Sequence, residues 1–206
     1  MSETLETNEM ELQGAEVEHV GEEIKERGKI VVIIGWRGDG KTAFMTYLAG
    51  MSHDAGVPIY ANYDLYFPGF VNKPVFEGGN HTSLEEASEL PEWLHACDVF
   101  LDEVQEGADS RAIFKSSNKG LSKLTSQLRK RQINLFATTQ NWKKLDIRIR
   151  RETDYVLEVQ QTLPDFSQIT IWDMRTELPE DRKYFYLPIV YGLYDTYELI
   201  SQSRGG

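Results

Sequence analysis

Cysteine, clustered histidine and long apolar runs are all scarce in this chain, and each shortage closes off a class of protein. One cysteine, Cys97, in 206 residues has no partner for an internal disulfide and fits a reducing cytoplasm. Four scattered histidines beside that one cysteine offer no zinc-ligand spacing. The longest apolar stretches, such as Ile30 to Ile34, are far too short to span a bilayer. No basic segment followed by an apolar one opens the chain, so no secretion signal is expected.

Positive charge is short as well, with 22 Lys and Arg against 33 Asp and Glu and a net charge of −11. That total argues against a polyanionic partner, but its distribution does not. Residues 1–28 hold nine Glu against two basic residues, whereas residues 111–151 hold twelve Lys or Arg against one acid, Asp146. The global sign hides a strongly basic segment. With 40% hydrophobic and 27% charged residues, the chain is long enough for one globular domain with its own core. We expect that domain over residues 29–200, after an acidic disordered tail at 1–28 and before a flexible end at 201–206.

What is present reads as an α/β domain. The β-branched run Ile30 to Ile34 has the look of a strand buried on both faces of a parallel sheet. Lys41 to Met51 has helical spacing, with Phe44, Leu48 and Met51 on one side. Strands are expected at Val57 to Asn62, Val99 to Leu101, Ile133 to Thr138 and Tyr155 to Gln160. A long loop is expected over Tyr63 to His81. Helices are expected at Leu84 to Leu94, with Ser83 and Glu86 as a capping box, and at Lys119 to Arg131. Ile169 to Met174 and Tyr184 to Tyr186 read as later, antiparallel strands. Strands alternating with helices imply a mainly parallel central sheet flanked by helices.

Between the first strand and the first helix, Gly35-Trp36-Arg37-Gly38-Asp39-Gly40-Lys41-Thr42 matches G-x-x-x-x-G-K-[ST] in its required context. Glycines let the backbone curl so that its N–H groups converge on phosphate oxygens, and the helix N-terminus adds its own N–H groups and dipole. Lys41 is expected to reach the β- and γ-phosphates, and the Thr42 hydroxyl to ligate Mg²⁺. Asp39 is the odd member, because a carboxylate here tolerates phosphate only if it points to solvent. Val99-Phe100-Leu101 ends in two acids, with Asp102 suited to holding the ion and Glu103 to polarising the attacking water. Gln140 ends the strand at Leu135 to Thr139 and suits contact with the γ-phosphate and that water. Neither Asn118-Lys119-Gly120-Leu121 nor Asn141-Trp142-Lys143 forms the N-K-x-D guanine reader, which tilts the nucleotide towards ATP.

Taken together, these motifs, with Gln127-Leu128-Arg129-Lys130-Arg131 before the Gln140 strand and Leu145-Asp146-Ile147-Arg148-Ile149-Arg150 after it, resemble the FtsK–HerA superfamily of P-loop motors. The shorter members are most similar: genome-packaging ATPases of membrane-containing icosahedral viruses, archaeal ones included, and the Zot-like proteins of filamentous phages. Tyr194-Asp195-Thr196 resembles the closing strand of the archaeal members. The resemblance spans roughly Lys29 to Leu199. It implies a RecA-like fold, ATP and Mg²⁺, and a homo-oligomeric ring, hexamer or pentamer, that pulls double-stranded DNA through its centre. It implies an arginine finger in the neighbour's site, Arg129 or, alternatively, Arg131. Capsid or procapsid vertex proteins would be partners, and the host cytoplasm or the virion the location. A Zot-like virion assembly role is the alternative, with a small-molecule or nucleotide kinase behind it. For a motor, Lys115, Lys119 and Lys123, at four-residue spacing, would line one helical face and grip the phosphate backbone without reading bases.

Overall fold

The computed structural model describes residues 27–72, 94–103, 126–145 and 147–195, with Lys144 and Arg148 by backbone only. The 1–26 stretch, the capping box at Ser83, the lysines at 115, 119 and 123, Asp146 and residues 196–206 lie outside it. The described elements build one seven-stranded sheet. Its strands are β1 (Ile30–Ile34), β2 (Ile59–Ala61), β3 (Asp98–Leu101), β4 (Asn134–Thr139), β5 (Tyr155–Leu163), β6 (Phe166–Asp173) and β7 (Leu178–Tyr186). In space they run β2-β3-β4-β1-β5-β6-β7. The first five are mutually parallel, and the last two pair antiparallel.

The β1 run is apolar throughout because both of its faces are covered. Val31 and Ile33 point into one core with helix α1 (Lys41–Asp54) and Phe44, Met45 and Leu48. Ile30 and Val32 point into the other with Leu128, Leu145 and Ile149. Helix α2 (Ile147–Glu152) lies on that second face through Ile149. Aromatic pairs lock the first core. Phe100 stacks on Phe136 at 4.7 Å between ring centroids, and Phe44 meets Phe185 edge-on at 5.3 Å.

Of the helix expected at Lys119 to Arg131, residues 126–130 are described, and they are helical. The largest departure from expectation is β7, nine residues long rather than three. Its first half, Leu178-Pro179-Glu180-Asp181-Arg182, is polar and mostly exposed, as suits an edge strand with one side open to water. Pairing with β6 decides that segment. Helix α2, with the sequence Ile-Arg-Ile-Arg-Arg-Glu, was likewise not expected, since one turn and a half carries little periodicity.

Candidate functional site

Strand β4 lies between β1 and β3, so the loop after β1 and the acids after β3 flank the C-terminal end of β4. That end carries Thr138, Thr139 and Gln140, and all the groups expected to meet the nucleotide's phosphates come from this one edge.

The loop from Gly35 to Thr42 is shaped by its own contacts. Gly40 sits at φ +90°, opening α1 in a left-handed conformation with no side chain to cap it. The N–H groups of the first turn are thereby left for an incoming anion. Gly35 is required for another reason. A Cβ there would stand 2.3 Å from the Val159 carbonyl oxygen of β5. Asp39 does not simply point to solvent. Its carboxylate accepts the Trp36 N–H at 2.6 Å and approaches the Gln161 N–H of β5 at 3.4 Å. Its carbonyl accepts the Ser167 hydroxyl at 2.7 Å. The acid is spent on holding the loop rather than facing the phosphates. Lys41 is buried, and its ammonium donates to the Trp36 carbonyl at 2.8 Å. Trp36 itself is 78% exposed, with Arg37 and Gly38 also at the surface.

Asp102 is the buried centre of the site. It accepts the Thr42 hydroxyl on Oδ2 at 2.8 Å and the Thr138 hydroxyl on Oδ1. Thr138 in turn accepts the Glu103 N–H at 2.8 Å. Asn62, just past β2, clamps the Asp102 main chain from the other side. Its amide donates to the carbonyl at 3.0 Å and its oxygen accepts the N–H at 2.7 Å. Burial pushes the Asp102 carboxyl up from the ordinary range, and the Thr138 and Thr42 hydroxyls and the Lys41 ammonium pull it back. Glu103 adopts φ +50°, a left-handed conformation that non-glycine residues rarely take and that costs about 1–2 kcal/mol. The turn carries Glu103 off the end of the strand beside Asp102.

Among the described residues no group of three or more His, Cys, Asp or Glu gathers into a metal cage. The Thr42 hydroxyl and Asp102 carboxylate are hard oxygen donors on adjoining elements, a set suited to an ion that keeps waters and phosphate oxygens in its shell, as Mg²⁺ does.

Sequence reasoning brings Gly35 to Thr42, Asp102, Glu103 and Gln140 to one edge, and the structure gathers them there. It missed Asn62 and Thr138. The available signals were slight: a polar residue ending a strand, and a threonine pair at the end of an apolar one. Arg129 lies elsewhere. It neighbours Gly28, and its guanidinium is 3.7 Å from Glu152 and 4.0 Å from Asp154. Those residues precede β1 and β5, so Arg129 sits at the end of the sheet opposite the phosphate loop, about 16 Å away across a five-residue strand. Arg131 is on the same turn, with its carbonyl accepting the Ala96 N–H at 2.8 Å.

No family model and no curated protein matches the chain. Among solved structures it is similar to the N-terminal domain of zonular occludens toxin from Neisseria meningitidis, with a TM-score of 0.56 and 18% identity over 82% of this chain and 100% of that one. It is also similar to the DNA-packaging ATPase of Sulfolobus turreted icosahedral virus, with a TM-score of 0.51 and 13% identity over 77% of this chain and 98% of that one. At these identities the likeness is one of fold. It agrees with the sheet order and the phosphate loop on a single conclusion: the chain has the fold of a P-loop NTPase domain, with a mainly parallel sheet completed by antiparallel C-terminal strands.

Proposed function

We propose that this protein is an ATPase that moves double-stranded DNA, packaging a viral genome into a preformed capsid. The observation that carries the hydrolytic part is the linked set Thr42–Asp102–Thr138–Glu103, which fixes a buried carboxylate and a second acid beside an uncapped helix N-terminus. Lys41 and the loop N–H groups hold the β- and γ-phosphates, and Thr42 and Asp102 would hold Mg²⁺, which would supply charge neutralisation at the phosphate oxygens. Glu103 takes a proton from the attacking water as its oxygen bonds to the γ-phosphorus. The β–γ bridging P–O bond breaks, and ADP departs with the electron pair. Gln140 orients that water.

Arg129, with Arg131 as the alternative, completes the site from a neighbouring subunit of a homo-oligomeric ring, a reading supported by its place at the end of the sheet away from its own chain's phosphate loop. An Arg129→Ala chain should be inactive alone, and mixing it with Glu103→Gln chains should restore some activity, since some interfaces then pair an intact Glu103 with an intact arginine. No recovery at any ratio, measured as phosphate release, would count against action in trans.

The basic segment supports DNA as the track, and the fold shared with a DNA-packaging ATPase supports it too. Duplex DNA should stimulate phosphate release, and Lys41→Ala should abolish release with or without DNA. The Lys115, Lys119 and Lys123 to glutamine triple variant should keep basal turnover but lose the stimulation. It should also flatten a salt dependence of about −0.9 log units per phosphate contacted. A second reading, nucleotide-driven virion assembly without duplex movement, is favoured by the full-length match to the zonular occludens toxin domain. It predicts that neither DNA nor the triple variant changes turnover.

A further inference from the structure

A cleft of about 410 Å³ opens beside the phosphate loop, a size ordinary for small-molecule sites. Gly38, Gly40 and Ala43 form one wall, and Leu187, Tyr191 and Tyr194 contribute to the other. The second wall is anchored. Leu187 opens a 3-10 turn ending at Val190, and its N–H donates to the Asp165 carbonyl at 2.8 Å. The Leu193 carbonyl accepts the Tyr66 N–H at 2.9 Å, and Tyr194 bridges to Leu65. The two walls meet closely, since a Cβ on Gly40 would stand 2.5 Å from a Leu187 methyl.

The chemistry of the cleft differs from that of the loop it adjoins. None of its lining residues, among those described, carries a charge. Beyond the N–H groups of the loop itself, a phosphate finds no charged side chain there, whereas a flat, largely apolar ring finds apolar walls. Tyr191 lines the cleft with 56% of its surface still exposed, so its side chain retains area to cover. Next to it, Gly192 at φ +84° leaves open space where a side chain would stand. A nucleotide anchored by its phosphates on Gly38 to Thr42 carries its base within reach of this slot. Stacking tolerates any base, because every base presents a π-face. Strong discrimination between bases requires fixed donors and acceptors on the base edge. The one amide side chain in the lining, Gln161, has one of its two N–H groups held by the Pro164 carbonyl at 2.8 Å, which ties the amide to its own turn.

We propose that this cleft is the base-binding subsite of the nucleotide, that Tyr191 stacks on the base, and that the site prefers purines to pyrimidines while separating adenine from guanine only weakly. The inference rests on the reading of the loop as a triphosphate site. A purine covers more of the tyrosine ring and the Leu187 side chain than a pyrimidine does, so it gains more from leaving water.

The test is calorimetric titration of the full chain with the β,γ-imido analogues of ATP, GTP and UTP and with tripolyphosphate, each with Mg²⁺. Tyr191→Ala should raise Kd for the purine analogues by about 5- to 150-fold and leave tripolyphosphate binding unchanged. Tyr191→Phe should keep wild-type affinity, because it keeps the ring. The ATP and GTP analogues should differ by less than about tenfold, far from the 10⁴-fold of a hydrogen-bonding reader, and the UTP analogue should bind more weakly than both. Equal purine affinity in wild type and Tyr191→Ala overturns the inference, as does equal loss in Tyr191→Phe or a preference for one purine analogue over the other above about tenfold. A wild-type protein that binds tripolyphosphate as tightly as the analogues sinks the base subsite but keeps the phosphate loop. A wild-type protein that binds neither overturns the triphosphate reading itself.

Discussion

Strand β3 begins with one buried aspartate, Asp98, and is followed by another, Asp102, and the same two neighbours serve both. From α1, Ser52 in the last turn donates its hydroxyl to Asp98 at 2.7 Å, and Thr42 in the first turn donates to Asp102. From β4, Asn134 donates to Asp98 at 3.0 Å, and Thr138, four residues on, donates to Asp102. Burial raises both carboxyls, and hydrogen bonds lower both. The difference lies in the third partner. Asp98 has the Arg27 guanidinium at 2.5 Å, a cation supplied by its own chain. Among the described residues Asp102 has hydroxyls for direct partners, and Lys41 acts on it from farther off while donating to Trp36. A buried carboxylate is expensive unless a positive charge meets it. One end of the strand meets that requirement internally. The other has hydroxyls as its direct partners, which is the arrangement expected if, as proposed above, Asp102 holds an incoming ion.

This contrast can be broken by substitution. Asp102→Asn keeps the shape, and the two threonine hydroxyls can rotate to suit an amide. Phosphate release should fall by about 10³-fold, since an ion at a phosphoryl centre supplies several kcal/mol. Unfolding stability in urea, measured without nucleotide or Mg²⁺, should not fall, because the uncompensated charge has gone. If this variant unfolds as readily as one at Asp98, the two ends are alike. Asp98→Ala removes the buried member of a part-buried pair and should cost about 3 kcal/mol, taking the carboxylate acceptor from Arg27 and Asn134 and leaving Ser52 only the Leu48 carbonyl. At temperatures where that variant is folded, nucleotide affinity should match wild type. A selective loss of nucleotide binding would tie Asp98 to the site.

The smallest expected effect concerns Cys97, beside Asp98. Burial, with a contribution from the Asp98 carboxylate, pushes its thiol up to about 12. An unfolded thiol titrates near 8.5. Between these values the unfolded chain releases a proton that the folded chain keeps, so stability falls as pH rises from about 8.5 towards 12. Urea midpoints at about pH 8 and pH 10 should show the decline, and Cys97→Ala should flatten it. Iodoacetamide at about pH 8 should label the native protein far more slowly than the urea-unfolded one.

The phosphate loop was legible because its chemistry is local. Eight consecutive residues between a β-branched strand and a helix specify a backbone shape, and that shape makes an anion site wherever it occurs. The apolar-then-acidic string ending at Asp102 and Glu103 was legible for the same reason, once a phosphate loop stood beside it. Asn62 was not legible, because its role is to extend the ladder between β2 and β3 with a side chain. Only pairing creates that role. Asp39 misled for a related reason, as its partners include the Gln161 N–H, 122 residues away.

By itself, then, the sequence determined the alternation of strands and helices, the double-sided burial of β1 and the phosphate-binding turn, all set by neighbours within a few residues. Tertiary structure decided which strand stands between β1 and β3, and hence that Thr138 joins Thr42, Asp102 and Glu103. It decided that Arg129 faces the far end of the sheet and that Leu187 to Tyr194 walls a cleft beside the loop. It also decided that Asp98, at the start of β3, meets a cation while Asp102, just past its end, meets hydroxyls. Each of these depends on contacts between residues far apart in the chain, and no local periodicity or propensity encodes which distant partner, cation or hydroxyl, a buried carboxylate will meet.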